Sequence, residues 1–220
     1  MKFDARTLQI LRNFSTINQS MVFKQGNMLR TIAQSKSIFA SAKISTEIER
    51  TFGIYDLPQF LSVVSLFDSE ELVLGETSVN IVNSTEELVY VYSDTSLIVS
   101  PPSKEMQLPS VDITFELKAE VLAKIQKGLG VINLPEIGIL GDGSKIYIAA
   151  CNSKNSADSK YKIEVGTTDK EFALYFLAEN VNILPGDYSV EVCSKGIAQF
   201  SAEDLTYWIA VEKHSKFPAE

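Results

Sequence analysis

The sequence predicts an α+β protein made of two similar domains joined by an extended connector. Its 220 residues are enough for two domains of about 100 residues each. Short amphipathic helices are interleaved with strands whose side chains alternate between apolar and polar, and the order of these elements repeats along the chain. Residues 94–110 contain Pro101-Pro102 and Pro109, a composition typical of a semi-extended linker. We therefore predict one domain over residues 1–93 and a second over residues 111–220.

The first domain opens with an amphipathic helix. Asp4 can cap this helix, which is predicted to run to about Gln19. Its apolar face comprises Ile10, Leu11, Phe14 and Ile17, with Leu8 at the edge. The opposite face is polar and basic and carries no acid: Arg6, Gln9, Arg12, Asn13, Thr16 and Gln19. This face is unusual, because exposed helix faces commonly mix Glu and Lys at i,i+4 spacing.

A strand-rich segment then leads to a second helix. Strands are predicted at Ser20–Lys24, Asn27–Ala33, Ile38–Ile44 and Ile48–Tyr55. Asp56-Leu57-Pro58 begins the helix, because Asp can cap it and Pro is tolerated in a first turn. The exposed side of this helix offers uncharged polar groups, namely Gln59, Ser62 and Ser65. Three more strands are predicted at Glu71–Leu74, Ser78–Asn83 and Glu87–Tyr92.

The second domain repeats this order after an initial strand at Val111–Leu117. A helix is predicted from Lys118 to about Leu129, with Glu120, Ala123, Lys124 and Lys127 facing outward. A hairpin follows at Glu136–Leu140 and Lys145–Cys151, joined by a turn that contains Asp142-Gly143. The remaining predicted elements are strands at Lys160–Val165 and Phe172–Phe176, a short helix at Leu177–Leu184, and strands at Asp187–Cys193, Ile197–Ser201 and Leu205–Lys213.

Charge is distributed unevenly along a chain whose formal net charge is -8. Asp4 is the one acid among residues 1–46, whereas residues 51–117 contain eleven acids and one base, Lys104. A protein polarised in this way can hold something anionic on one surface and remain acidic elsewhere. The alternative is that these charges belong to ordinary solvated faces.

Residue types that catalyse reactions or bind metals are scarce. A Ser-His-Asp or Cys-His arrangement would depend on His214, the one histidine of the chain. No CxxC or HxxxH spacing is present, so no metal site and no cofactor are predicted. Residues 141–145, Gly-Asp-Gly-Ser-Lys, do not form a phosphate-binding loop, because the GxxxxGK[ST] pattern is missing and a strand follows. Cys151 and Cys193 are predicted to be free thiols on strands.

Membrane insertion and secretion are not predicted. No run of about 18 apolar residues is present. Residues 1–6 lead into the first helix without the apolar region of a secretory signal.

Cations on the exposed sides of the first and third helices are the best candidates for a binding function. Such side chains suit phosphates. No aromatic residue is interleaved with them and no recognition-helix or zinc-finger motif is present, so neither base stacking nor sequence reading is predicted. If DNA is the ligand, contacts should be to the backbone only. The candidate DNA-facing residues are Lys2, Arg6, Arg12, Lys24, Lys124 and Lys127.

Several longer segments are distinctive. In the first 70 residues they are Met1-Lys2, Leu11–Asn18, Phe23–Gly26, Ile44-Ser45, Ile54–Leu61 and Ser65-Leu66. Leu184–Tyr188 adds a turn in the second half. Together with the chain length, the element order and the proline-rich connector, these segments resemble the sliding clamps of T-even-type bacteriophages, which are DNA polymerase processivity factors.

The resemblance implies a sliding-clamp fold, in which two similar domains place antiparallel sheets outside and helices around a central hole. It implies a head-to-tail homotrimer that encloses double-stranded DNA. It also implies a hydrophobic pocket under the connector for the C-terminal peptide of the phage polymerase. Further implied partners are the clamp-loader ATPase and late-transcription factors, and the implied location is the cytoplasm of the infected bacterial host.

The connector itself indicates where a partner peptide could bind. Its apolar residues are Leu97, Val99, Met106 and Leu108, and we predict that they cover a hydrophobic groove together with strands of the second domain.

Two other classes of protein remain open from the sequence. A non-enzymatic phage structural or scaffold protein would use duplicated, strand-rich halves for assembly, without bringing Arg6, Arg12, Lys124 and Lys127 to a common lumen. A hydrolase or nucleotide-binding enzyme is disfavoured by the single histidine and the missing phosphate loop, so we predict that the chain is not an enzyme.

Overall fold

The computed structural model describes residues 1–68, 70–102, 106–155 and 157–217. The chain divides into two compact units, Met1–Lys104 and Glu105–Glu220. The predicted connector, residues 94–110, includes residues 103–105, and the predicted second domain includes 156 and 218–220; these residues lie outside the described ones.

Among its described residues, unit 1 contains two α-helices and seven strands. Their bounds are α1 (Ala5–Ile17), β1 (Met21–Phe23), β2 (Gly26–Ile32), β3 (Ile38–Ile48), β4 (Phe52–Ile54), α2 (Leu57–Val64), β5 (Glu71–Leu74), β6 (Ser78–Val82) and β7 (Glu87–Val91). A short 3-10 helix at Thr95–Leu97 follows. β1 pairs with β4, β2 pairs with β3, and β5, β6 and β7 form a sheet; all of these pairings are antiparallel.

The core of unit 1 lies between its helices and strands. α1 buries Ile10, Leu11 and Phe14 completely, and it packs against both β3 and α2. A cluster of aromatic rings continues this core, with the ring of Phe23 stacked 4.7 Å from that of Phe52. Burial of this apolar face, rather than helix propensity alone, holds a helix of 13 residues in place.

Over the part of unit 2 that the structure describes, there are one α-helix and eight strands. Their bounds are β8 (Ile113–Leu117), α3 (Ala119–Ile132), β9 (Glu136–Asp142), β10 (Lys145–Cys151), β11 (Tyr161–Thr167), β12 (Glu171–Leu177), β13 (Tyr188–Cys193), β14 (Ile197–Ser201) and β15 (Leu205–Ala210). Antiparallel pairing gives the orders β11-β10-β9-β12 and β8-β13-β14-β15. A 3-10 helix at Ala178–Val181 connects β12 to β13.

The two units repeat one plan. Each has a helix, four strands, a second helical segment and three strands in the same order. The strand β8, which precedes α3 and pairs with β13, has a short counterpart in unit 1: the amino group of Met1 donates to the carbonyl oxygen of Leu72 (2.8 Å), and Leu72 N donates back to the Met1 carbonyl (2.7 Å). The repeated element order predicted from the sequence is therefore present.

Several predicted element bounds were wrong; among them, β3 continues past Ile44 to Ile48, and β15 ends at Ala210 and not at Lys213. The strand predicted at Ile48–Tyr55 is divided, since β3 ends at Ile48 and β4 covers only Phe52–Ile54. α1 ends at Ile17 and not near Gln19, because Asn18 adopts an extended backbone and its side-chain oxygen accepts from Ser20 N (3.0 Å). α3 continues past Leu129 to Ile132.

The predicted helix at Leu177–Leu184 was also wrong, because only the 3-10 helix Ala178–Val181 forms there. In an α-helix the carbonyl of Val181 would accept from the residue four positions later, but that residue is Pro185, which has no N–H. The side-chain amide of Gln126 donates to this carbonyl instead, at 3.1 Å. Proline placement therefore limits the second helical segment of unit 2.

Candidate nucleic-acid interface

The basic face of α1 is exposed and its geometry is set at the helix start. Arg6 and Arg12 are exposed on the side opposite the buried apolar stripe. Asp4 caps the helix, accepting a hydrogen bond from Thr7 N at 2.6 Å and from Ser45 Oγ at 2.5 Å. The hydrogen bond from Ser45, followed by that from Thr7, holds the pKa of the Asp4 carboxyl below its usual value. The ionised carboxylate thus occupies the helix N-terminus, where it satisfies an N–H and interacts favourably with the helix dipole.

Arg12 lies at the rim of a cleft between α1 and α2. The cleft has a volume of about 290 Å³, and its other lining residues are Ser15, Pro58, Leu61, Ser62 and Ser65. Each of the three serine hydroxyls donates to a backbone carbonyl of its own helix, at 2.7–2.8 Å. Their oxygens therefore present acceptors to the cleft, and Arg12 supplies the positive charge. As predicted, the exposed side of α2 carries uncharged polar groups.

Lys124 and Lys127 are exposed on α3, opposite the buried residues Leu122, Ile125 and Leu129. Glu120 is also exposed and lies one helical turn before Lys124. Because residues at i and i+4 are neighbours on a helix surface, this carboxylate weakens the local positive field. The exposed face of α3 is therefore less basic than that of α1.

α3 begins with a cap that sequence reasoning missed. Lys118 provides no side-chain cap; Asp187, the residue just before β13, accepts from Ala119 N at 2.8 Å and from Lys118 Nζ at 3.1 Å. The bond from Ala119 N is the main reason that the pKa of Asp187 is lowered. Asp187 lies 68 positions along the chain from Ala119, so no local sequence signal could have identified it.

Lys2 and Lys24 occupy different surroundings. Lys2 is exposed just before α1, and its carbonyl accepts from Thr46 Oγ1 at 2.7 Å. Lys24 lies between β1 and β2 in a pocket with Met28 and Arg30. On β2 the alternate residues Leu29 and Thr31 are buried, so Met28 and Arg30 project from the other face of the strand. The structure thus groups Lys24 with Arg30 and not with the cations of α1.

The four predicted groove residues are divided between the two units. Leu97 and Val99 belong to unit 1 and are 68% and 48% exposed, whereas the residue between them, Ile98, is buried. Met106 and Leu108 belong to unit 2 and are half-buried.

His214 does not belong to a catalytic triad. Its Nε2 lies 2.7 Å from Ser153 Oγ and 3.3 Å from Glu136 Oε1, so both partners contact the same nitrogen. A triad needs the carboxylate on the opposite ring nitrogen, where it orients the imidazole toward the nucleophile. His214 instead stacks on the ring of Tyr175, with centroids 5.2 Å apart. The arrangement attaches the C-terminal segment to the sheet and provides no activated nucleophile.

Other binding chemistry is limited over the part of the chain that the structure describes. Within those residues no group of three or more His, Cys, Asp or Glu side chains could hold a metal ion. No helix there is both long and apolar enough to span a bilayer. Cys151 and Cys193 are free and buried, as predicted. Burial raises the pKa of the Cys151 thiol to about 11, which keeps it protonated and unreactive.

Comparisons with known proteins give a consistent result along the chain. One family model, described as DNA polymerase processivity factor, matches residues 3–100, and another, described as gp45 sliding clamp, C terminal, matches residues 114–213. The sliding clamp of Escherichia phage RB69 is 32% identical over 225 residues, which cover 98% of each chain. The sliding clamp of Vibrio phage KVP40 is 30% identical over 219 residues, which cover 96% of this chain and 99% of that relative.

A solved structure shows the same fold at low sequence identity. The structure of A. fulgidus PCNA with the C-terminal region of FEN-1 bound superposes with a TM-score of 0.67 at 12% identity, covering 95% of this chain and 96% of that one. This likeness confirms the fold class predicted from the sequence.

Proposed function

We propose, from the premise that this chain belongs to the sliding-clamp family of DNA polymerase processivity factors, that it encircles duplex DNA as a homotrimer and tethers the replicative polymerase. The observation that carries the DNA part of this proposal is the exposed, acid-free basic face of α1. A scaffold protein is not favoured, because the matched relatives are sliding clamps. The same family and relative matches confirm the resemblance to the sliding clamps of T-even-type phages.

Two unlike edges support assembly into a ring. Within the described residues β7 ends one sheet and pairs only with β6, and β11 ends another and pairs only with β10. Val89 and Val91 on β7 are 56% and 69% exposed, and Val131 and Ile132 at the end of α3 are 76% and 39% exposed. Exposed apolar edge strands favour pairing with another chain. Because the two edges differ, pairing one with the other is head-to-tail, and such contacts form a ring when the rotation between neighbouring subunits closes.

DNA binding would be weak and independent of sequence. Arg6, Arg12, Lys124 and Lys127 are exposed cations on helix faces without aromatic residues, so they suit phosphates and not bases. An exposed charge pair contributes about 1 kcal/mol or less. A ring is retained on DNA by topology, so loose contacts of this strength suffice and leave it able to slide.

The remaining partners follow from family membership. The A. fulgidus PCNA structure contains the C-terminal region of FEN-1, which supports a polymerase C-terminal peptide as the ligand of this clamp. A clamp-loader ATPase would open the ring around DNA, and late-transcription factors would use the loaded ring as a platform. With these partners, the proposed site of action is the cytoplasm of the infected bacterial host.

Charge reversal on both helices tests the DNA path. We expect the double variant Arg12→Glu, Lys124→Glu to fold and form trimers, because solvated surface changes rarely cost more than about 0.5 kcal/mol. Processive synthesis in a primer-extension assay with clamp loader and ATP should fall, most clearly at moderate salt, because phosphate contacts are salt-dependent.

The matched control reverses two exposed lysines elsewhere, Lys154→Glu and Lys195→Glu, which changes net charge equally. It should retain processivity. Full processivity in an intact Arg12→Glu, Lys124→Glu trimer would show that these helices do not line the DNA path.

A further inference from the structure

The side-chain amide of Asn18 uses its full hydrogen-bonding capacity inside unit 1. This residue directly follows α1 and is 5% exposed. Its Nδ2 donates to the carbonyl oxygens of Ile32, at 3.1 Å, and Val99, at 3.3 Å. Its Oδ1 accepts from the backbone N of Ser20, at 3.0 Å, and from Ser20 Oγ, at 3.1 Å. A carboxamide has two donor hydrogens and two acceptor lone pairs, so all four are occupied.

The partners of this amide allow one orientation and one residue type. Carbonyl oxygens only accept hydrogen bonds, and a backbone N–H only donates. Rotating the amide by half a turn would place Oδ1 against two carbonyl oxygens and Nδ2 against the N–H of Ser20. An aspartate carboxylate has the same shape and could accept from Ser20, but it could not donate to Ile32 or Val99. The site therefore requires the amide of asparagine.

The backbone around Asn18 is held by both helices of unit 1. Asn18 N donates to Phe14 O at 3.0 Å, which ends the helix that carries Arg12. The next carbonyl, that of Gln19, accepts from Leu57 N at 2.8 Å, at the start of α2. The amide thus projects from a fixed position toward the end of β2 and the connector.

Asn18 supplies the last hydrogen bond that the connector receives in the described part of unit 1. Before it, Ser93 N donates to Gly53 O at 2.9 Å, and Ile98 is buried against Gly53. Residues 100–102 form no hydrogen bond with other described residues, and two of these three are prolines, which have no N–H. The bond to Val99 O therefore determines where the anchored part of the connector ends.

This bond also determines which connector side chains face outward. Ile98 has an extended backbone, and successive side chains of an extended backbone point to opposite sides. Ile98 is 6% exposed, whereas Val99, whose carbonyl is turned toward Asn18, has a side chain that is 48% exposed. Without the bond the connector could rotate beyond Ile98 and carry the Val99 side chain away from this position.

We propose that Asn18 is a positioning residue for partner recruitment, because it fixes the connector at Val99 and holds the apolar side chain of that residue outward at one place. The inference rests on the proposed function, since the partner is taken to be the polymerase that the clamp tethers. A partner that meets a preformed surface loses less conformational entropy than one that must first order a segment. Loss of the Asn18 donors should therefore weaken retention of the polymerase without changing its chemistry.

Mobility of the connector tests the positioning without DNA or polymerase. A nitroxide spin label is attached to the full chain at Ser100→Cys, an exposed position just beyond the anchored carbonyl. Cys151 and Cys193 are buried, so the label reacts at the introduced thiol. We expect the electron paramagnetic resonance spectrum to show a restricted label when Asn18 is present and a new, motionally narrowed component in Asn18→Ala.

Matched variants separate the two donors of Asn18 from its other contacts. Asn18→Asp, measured at about pH 8 so that the carboxyl is ionised, keeps an acceptor for Ser20 and loses both donors, so its spectrum should match that of Asn18→Ala. Ser20→Ala removes one contact to Oδ1 and keeps both donors, so the label should stay restricted. A label at Ser96→Cys, where the backbone N donates to Asp94 Oδ1 at 2.9 Å, should respond to none of these changes.

Primer extension on preloaded clamps measures the consequence for the partner. The polymerase concentration that gives half-maximal processive synthesis should rise about fivefold or more in Asn18→Ala, while the rate at saturating polymerase stays unchanged. Ile81→Val is the control for a general loss of stability, because it removes one fully buried methyl group from β6 and no hydrogen bond. It should leave both quantities unchanged.

Sedimentation and circular dichroism melting check that each variant is folded and assembled, and Asn18→Asp carries the same tests if Asn18→Ala does not fold. An unchanged spectrum in Asn18→Ala, a native spectrum in Asn18→Asp, or a half-maximal polymerase concentration within about twofold of the native value would overturn the inference. Absence of processive synthesis with the native chain would instead overturn the clamp function itself, so the two failures are distinguishable.

Discussion

Removal of the His214 side chain should measure how strongly unit 2 holds its C-terminal segment. This segment lies along β12: Lys216 N donates to Ala173 O at 2.7 Å, and Glu212 N donates to Tyr175 O at 2.8 Å. Between these two bonds His214 reaches the carboxylate of Glu136, whose side chain is only 3% exposed. The substitution His214→Ala therefore leaves a buried carboxylate with fewer partners.

The cost of this substitution can be estimated from the contacts that are lost. Glu136 keeps the hydrogen bond from Ser153 N at 2.7 Å but loses His214, and a buried polar group left under-satisfied costs about 1–3 kcal/mol. The His214 side chain is 36% exposed, so water replaces part of the lost contact and the lower half of that range applies. Loss of stacking on Tyr175 adds about 0.5 kcal/mol. We expect a destabilisation of about 2 kcal/mol.

Urea unfolding followed by tryptophan fluorescence measures this change in unit 2 specifically. Trp208 is the one tryptophan of the chain, is 8% exposed, and donates from Nε1 to Gln199 Oε1 at 2.8 Å. All variants must be compared at one protein concentration, because assembly shifts apparent stability.

A double-mutant cycle isolates the pair. Glu136→Gln keeps an acceptor for Ser153 N but removes the charge, and the cycle with His214→Ala should give a coupling of about 1 kcal/mol. A change below about 0.5 kcal/mol in His214→Ala, or a coupling of zero, would refute the reasoning that this histidine satisfies the buried carboxylate.

Three further predictions concern helix caps and a thiol. Asp4→Ala should lower unfolding free energy by about 1 kcal/mol in denaturant titrations, whereas Asp4→Asn, which can still accept from Thr7 N, should cost much less. The pKa of Asp187 lies below its usual 3.8, so its stabilising effect is complete above that pH and is lost as the pH falls through the folded-state pKa; Asp187→Asn should flatten the acid-unfolding curve in that range. Cys151, with its pKa raised by burial to about 11, should resist iodoacetamide at neutral pH in mass spectrometry until the protein is unfolded.

Local signals in the sequence predicted most of the elements and the exposed faces of the helices. Asp4 and Asp56 identified two helix starts because an N-cap acts within three residues of itself: Thr7 N and Gln59 N donate to them. The apolar stripe of α1 identified its buried side because burial follows helical periodicity.

Contacts between distant residues could not be predicted in this way. The carboxylate of Asp187 caps α3 by accepting from Ala119 N, and the side chain of Gln126 donates to Val181 O at the end of the 3-10 helix, at 3.1 Å. The surroundings of Lys24 depend on the connector, which Asn18 holds beside β2. Charge alone therefore assigns Lys24 to the candidate DNA surface, whereas the fold places this residue beside Met28 and Arg30.

The duplication shows that one physical requirement can be met by different residues in the two units. α1 and α3 occupy the same place in the repeated plan, and each has a carboxylate on the N–H groups of its first turn. In α1 the carboxylate comes from the residue just before the helix, and in α3 from Asp187, the residue just before β13. Both caps place negative charge at the helix N-terminus, where the helix dipole favours it. The exposed side of α1 carries no acid, whereas Glu120 reduces the positive charge on α3, so the stronger attraction for phosphate lies in unit 1.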